Sequence, residues 1–94
     1  MSAVRLGPYL KELRIHLCQT SGASQGVRDF VHKHYVALKR ANPQFPILIR
    51  ECSGISPRIW ARYEYGREVH HSLENSKGDD VLKLIEKLGT AKSP

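Results

Sequence analysis

The sequence predicts an α/β domain in the order β-α-β-β-β-α around a mixed four-stranded sheet. Three observations carry this prediction. An alternating run, Leu13 to Cys18, is followed by a helical stripe and then by the short apolar run Ile47-Leu48-Ile49. A second alternating stretch runs from Ile59 to Tyr65 and turns at Gly66. A last stripe, Val81, Leu84, Ile85 and Leu88, has helical spacing.

Leu13, Ile15 and Leu17 alternate with Arg14, His16 and Cys18, the period of a half-buried strand. Small polar residues from Gln19 to Gly22 make a loop, and Ser24 is expected to cap the next helix, with Asp29 near its positive end. Val27, Phe30, Val31, His34, Tyr35 and Leu38 recur at steps of three and four, which puts one stripe against a sheet. Lys39 and Arg40 suit the last turn, and Asn42-Pro43 ends it. Ile47 to Ile49 suits a strand covered on both faces. More than a dozen residues separate the two strands, so a right-handed parallel crossover is expected.

After Cys52, Ser53-Gly54-Ile55-Ser56-Pro57 reads as a loop. Ile59, Ala61, Tyr63 and Tyr65 then alternate with Trp60, Arg62 and Glu64 as a third strand. Gly66 turns it into a fourth, Glu68 to Leu73, as a hairpin. Ser76 or Asp79 opens the last helix, which Gly89 closes, and Thr90 to Pro94 is expected to fray. The whole chain, 1–94, reads as one domain with its core at about 10–89. A parallel βαβ unit followed by a hairpin and a helix is the minimal thioredoxin arrangement, with the first and third strands central.

Composition narrows the function. Fifteen Lys and Arg against nine acids give a formal charge of +6, which favours acidic partners: nucleic acid, anionic lipid or an acidic protein face. No apolar run approaches a membrane span. The segment Met1 to Leu17 carries Arg5, Lys11 and Arg14 but lacks the apolar core and cleavage site of a secretory signal. Two cysteines exclude a disulfide-dense secreted scaffold.

A redox-active thioredoxin carries Cys-x-x-Cys after its first strand. Here that segment is Cys18-Gln19-Thr20-Ser21, without a second cysteine. Cys52 closes the second strand, however, and parallel neighbours would bring Cys18 and Cys52 to the same end of the sheet. A disulfide between them, two reduced and partly buried thiols, and a catalytic thiol all stay open. Pro57 stands where thioredoxin-like folds place a cis proline, so Ser56–Pro57 is expected to be cis. His32 with His34, and His70 with His71, are spaced to point apart, so neither pair suits a metal. His16 shares a strand face with Cys18. No phosphate-binding glycine loop, nucleophile elbow or paired-carboxylate motif is present, and Asp79-Asp80 reads as helix N-terminal charge. No catalytic, cofactor or metal residues are therefore expected. Arg50, Arg58 and Arg62 interleave with Trp60 and Tyr63, a mixture that suits a protein interface and would also suit RNA. Trp60 on its own equally suits a core anchor.

Leu13-Arg14-Ile15-His16-Leu17-Cys18-Gln19 and Ser24-Gln25-Gly26-Val27-Arg28-Asp29-Phe30 resemble the thioredoxin-fold accessory subunits of NADH:ubiquinone oxidoreductase, mitochondrial complex I. Asn42-Pro43, Pro46 to Ser53, and Pro57 with Trp60-Ala61-Arg62-Tyr63 extend the likeness, which runs from about Leu10 to Gly66. The resemblance implies a non-enzymatic subunit on the matrix arm, peripheral to the inner membrane. Its implied neighbours are the large iron–sulfur subunit of the NADH-oxidising module and other matrix-arm subunits. It implies no cofactor, no nucleic acid and no homo-oligomer, and a role in assembly or stability of that module, with a redox-responsive cysteine pair open. The same domain family includes mitochondrial ribosomal proteins, an alternative that length and the cysteine pair disfavour. A free thiol oxidoreductase is disfavoured by the missing loop cysteine.

Overall fold

A computed structural model describes residues 6–91. The basic Arg5 and the end of the tail expected to fray, 92–94, lie outside the described residues. Strand β1, Leu10–Leu17, buries Leu10, Leu13, Ile15 and Leu17 and turns Glu12, Arg14 and His16 the other way. Helix α1, Gln25–Phe30, runs through a π-helical segment, Val31–Tyr35, into α2, Val36–Ala41. A single wide π turn is a common local feature at functional positions. Asn42 ends the rod: its backbone N–H and its side-chain amide both donate to the Leu38 carbonyl, at 3.1 and 3.0 Å. Strand β2, Ile47–Glu51, then returns parallel to β1.

Strand β3, Arg58–Tyr63, pairs antiparallel with β1, and β4, Glu68–Ser72, pairs antiparallel with β3. The sheet is mixed and four-stranded, in the order β2-β1-β3-β4, and helix α3, Gly78–Thr90, closes the chain. One face of the sheet (Leu13, Ile15, Leu17, Ile47, Ile59, Ala61, Tyr63) forms a single core with Val27, Phe30 and Leu38 of the first rod and Val81, Ile85 and Leu88 of α3. Among the described residues the helices cover that face only.

Several expectations are corrected by local chemistry. Ser24 does not cap the helix; it is fully buried, and its Oγ accepts the Cys18 N–H at 3.0 Å. Ser21 caps instead, accepting from Ala23 N–H at 3.1 Å at the 3₁₀ turn Gly22–Ser24. Lys77, not Ser76 or Asp79, precedes α3, and Gly89 lies inside its last turn. Tyr65 leaves the third strand for a tight turn at φ +63, and the Tyr63 N–H to Arg67 carbonyl bond of 2.7 Å closes that turn. Ser56–Pro57 is trans, since no peptide bond among the described residues is cis. The reversal between β2 and β3 is made at Gly54, φ +77, where the absence of a Cβ removes the steric cost. Pro57 directly precedes β3, and its carbonyl accepts the Leu73 N–H at 3.0 Å.

Tyr63 is also corrected. Strand alternation turns odd-numbered residues of β3 inward, so Tyr63 is 2% exposed and its hydroxyl donates to the Leu88 carbonyl at 2.6 Å. It ties β3 to α3 and is no part of a surface.

Candidate functional site

Two features stand apart from the core: a thiol corner at one end of the sheet, and the sheet face that no helix covers.

The corner is built where β1 and β2 end together. The register pairs Leu17 with Glu51, and the Cys52 N–H donates to the Leu17 carbonyl at 3.0 Å, so Cys18 and Cys52 occupy the next position of the same parallel ladder. Both are free thiols, Cys18 buried and Cys52 exposed. Arg28 of α1 holds the loop after Cys18, donating to the Cys18 carbonyl at 2.8 Å and the Ser21 carbonyl at 2.9 Å. That clamp fixes the loop so that its backbone donors point at sulfur. The Thr20 and Gly54 backbone amides, then the Thr20 hydroxyl and the Ser21 amide, lower the Cys18 thiol to about 6. The Gly54 N–H lies 3.4 Å from Sγ, and the Thr20 hydroxyl 3.7 Å. His16 lies on β1 between Arg50 and Arg58, and the sulfur is held by the loop amides instead.

This predicts a titration. In Cys52→Ser, thiolate ultraviolet absorbance is expected to rise with a midpoint near 6, and Thr20→Val to move it part of the way back toward the ordinary thiol value of 9.0. The shift is downward on folding, so this group's stabilisation is full above the unfolded value and is lost as pH falls through about 6. A midpoint at the ordinary thiol value would remove the argument.

The bare face is read directly from the registers. Arg14 stands opposite Leu48 on one side and Trp60 on the other, and Trp60 opposite His70. The next row is Arg50, His16, Arg58 and Ser72, and the row on the other side is Glu12, Arg62 and Glu68. Of the interface residues expected from sequence, Arg50, Arg58, Trp60 and Arg62 therefore share one face. Trp60 is half-buried beside His70, ring centroids 4.5 Å apart, and Arg58 donates to His70 Nδ1 at 2.6 Å. Arg14 is neutralised by Glu12 at 2.6 Å and Glu68 at 3.1 Å. Partial burial, and then the Arg50 and Arg14 charges, hold the His16 imidazole below its ordinary value in the row it shares with Arg50 and Arg58. Leu48 lies 52% exposed on the same face.

Arg14, His16, Leu48 and His70 were not among the interface residues expected from sequence, although strand alternation assigns each a side. The signal missing from the sequence is register. A further pair joins the two helical units: His34 Nε2 meets Asp79 Oδ1 at 2.8 Å and holds that carboxyl below its usual range. Among the described residues no group of three or more His, Cys, Asp or Glu is placed to hold a metal, and no helix is long and apolar enough to cross a membrane.

Comparison with known proteins adds a family. Residues 27–77 match the model of the mitochondrial ribosomal protein L51 / S25 / CI-B8 domain. The chain is 50% identical over 84 residues to a mouse protein named NADH dehydrogenase [ubiquinone] 1 alpha subcomplex subunit 2, covering 89% of this chain and 85% of that one. An Arabidopsis thaliana protein of the same name is 52% identical over 79 residues, covering 84% and 81%. The NADH-ubiquinone oxidoreductase 10.5 kDa subunit of Neurospora crassa is 40% identical over 79 residues, covering 84% of each.

Proposed function

Because this chain belongs to the L51 / S25 / CI-B8 domain family, we propose that it is a non-catalytic accessory subunit of mitochondrial respiratory complex I. The observation that carries the reading is similarity over 84–89% of this chain, at 40–52% identity, to proteins named as NADH dehydrogenase [ubiquinone] or NADH-ubiquinone oxidoreductase subunits in an animal, a plant and a fungus. The thiol corner, which offers one ionised cysteine and no Cys-x-x-Cys, supports a subunit rather than a free oxidoreductase.

In finer terms, the domain is thioredoxin-like: a parallel βαβ unit joined to an antiparallel pair and a final helix, stripped of any helix on the second face. It sits peripherally on the matrix side of the inner membrane. It supports assembly and stability of the NADH-oxidising module beside the large iron–sulfur subunit, binding no nucleic acid and forming no homo-oligomer. The Cys18–Cys52 pair gives it a means of responding to oxidation.

Blue-native electrophoresis tests the reading. The wild-type chain is expected to migrate with NADH dehydrogenase activity, and its deletion to lower that band without removing an electron carrier. Migration with ribosomal particles, or a deletion that leaves the band intact, overturns it.

A further inference from the structure

We propose that the bare face of the sheet docks an acidic segment of a neighbouring protein, with Arg50, His16 and Arg58 as its anionic contact row and Trp60 as its apolar centre. The inference rests on the complex I reading only for the identity of the assembly; the face and its chemistry follow from this chain.

A four-stranded sheet in a small domain buries one face and leaves the other to water or a partner. A sheet face meant for water carries polar side chains. This one is not polar throughout. Its centre carries Trp60 and the exposed Leu48, both apolar, on either side of Arg14. Aromatic residues with arginine, and little lysine, are the composition of interface centres.

Charge selects the partner. Four arginines on this face meet two glutamates, and both glutamates are already engaged by Arg14. Arg50 and Arg58 have no carboxylate partner among the described residues, and His16 between them is held toward its neutral form. Strands about 4.8 Å apart put those two guanidinium stems roughly 10 Å apart, with an imidazole donor between them. That spacing suits two carboxylates on an extended or helical acidic segment, each able to accept a two-pronged guanidinium bond.

RNA fits the face less well. Sheets that read RNA present several free aromatic rings for stacking bases. Here the single tryptophan is the one aromatic on the face besides histidine, and His70 already packs against it. Glu12 and Glu68 edge the row beside it, where they would repel phosphates.

The row also neighbours the thiol corner. Cys52 is two residues beyond Arg50 on the same strand and its continuation, so a partner seated on the row stands over the exposed thiol. Docking is therefore expected to slow alkylation of Cys52.

Two experiments separate this inference from the functional reading. First, Trp60 is replaced by a photo-crosslinking phenylalanine analogue in cells lacking the native chain, and the crosslinked segment is sequenced. A protein segment rich in Asp and Glu is the expected product. A crosslink to RNA, to a neutral or basic segment, or to solvent only overturns the proposal in whatever assembly holds the chain. Second, Arg50→Glu/Arg58→Glu is compared with Lys83→Glu/Lys87→Glu, the same charge change on exposed positions of α3. The first pair is expected to reduce the chain's share of its native assembly roughly tenfold, and the second by less than about twofold. Arg50→Gln/Arg58→Gln covers the case in which charge reversal prevents folding. Equal incorporation of the sheet-face and α3 pairs overturns the face. Co-migration of the wild-type chain with ribosomal particles overturns the complex I reading and leaves the crosslink to decide the docking chemistry.

Discussion

Gly26→Val is expected to remove most of the domain's stability, an effect of about 3 kcal/mol or more. A Cβ built on Gly26 would lie 1.5 Å from the Ser76 carbonyl oxygen and 2.6 Å from its carbon. Both are backbone atoms, so no side chain can swing away. The Ser76–Lys77 turn leads directly into α3, where a Cβ built on Gly78 would lie 3.1 Å from the Phe30 amide nitrogen. The two glycines let the first rod and the start of α3 touch through their backbones. Separating them would also pull apart the core contacts of Val27 and Phe30 with Val81 and Ile85. A domain of this size holds only about 5–10 kcal/mol in total. Chemical denaturation reads the loss as a lower midpoint at unchanged slope. Gly22→Val, with nothing within 4 Å of its built Cβ, is the control and is expected to change little. Comparable stability for Gly26→Val and wild type would mean that the turn before α3 can move, and that the close approach is incidental.

Gly26 also shows where the sequence ceased to be legible. The alternation of Leu13, Ile15 and Leu17, and of Ile59, Ala61 and Tyr63, reports burial directly, because period two is a property of the strand itself. The stripe from Val27 to Leu38 does the same for the first rod, although the π turn at Val31–Tyr35 leaves no trace in it. A glycine in the first turn of a helix carries no such periodic signal; its meaning lies in Ser76, fifty residues away. Ser24 was misread for a similar reason. A serine before an apolar stripe is a good local cap, and only the fold reveals that the Cys18 amide competes for its hydroxyl.

The candidate site divides along the same line. That Arg50, Arg58, Trp60 and Arg62 cluster around the second and third strands was readable, and so was their mixture of charge and ring. That they share a face with each other and not with Tyr63 follows from alternation within β3 combined with pairing across β1. Pairing is a long-range quantity, and a one-residue slip would have exchanged the faces. The cis expectation at Pro57 failed because it was carried by analogy of position, whereas the reversal belongs to Gly54.

Oxidation of the reduced protein is expected to join Cys18 to Cys52 and raise stability by about 3–4 kcal/mol in the chain-entropy model, for a closed loop of about 35 residues. The two residues follow paired positions of a parallel ladder, where strands lie about 4.8 Å apart, inside the limit of roughly 7 Å for a bridge. The thiols divide the work. Cys52 is exposed and meets an external disulfide such as oxidised glutathione first, forming a mixed disulfide and releasing one thiol. Cys18, ionised above about pH 6, then attacks the Cys52 sulfur and expels the second thiol, so two cysteine thiols are oxidised and one disulfide is reduced. The amides that lower the Cys18 thiol stabilise the reduced form and offset part of the gain above that pH. The oxidised advantage is therefore expected to be largest near pH 6 and to shrink as pH rises toward 9.0. Denaturation midpoints of oxidised and reduced protein, measured across that range, read both the sign and the slope. Cys52→Ser should show no oxidant-dependent shift and should keep the mixed disulfide off the monomer. Two alkylatable thiols in wild type after treatment with oxidised glutathione would return both cysteines to a packing role, with the low Cys18 value a by-product of a tight loop.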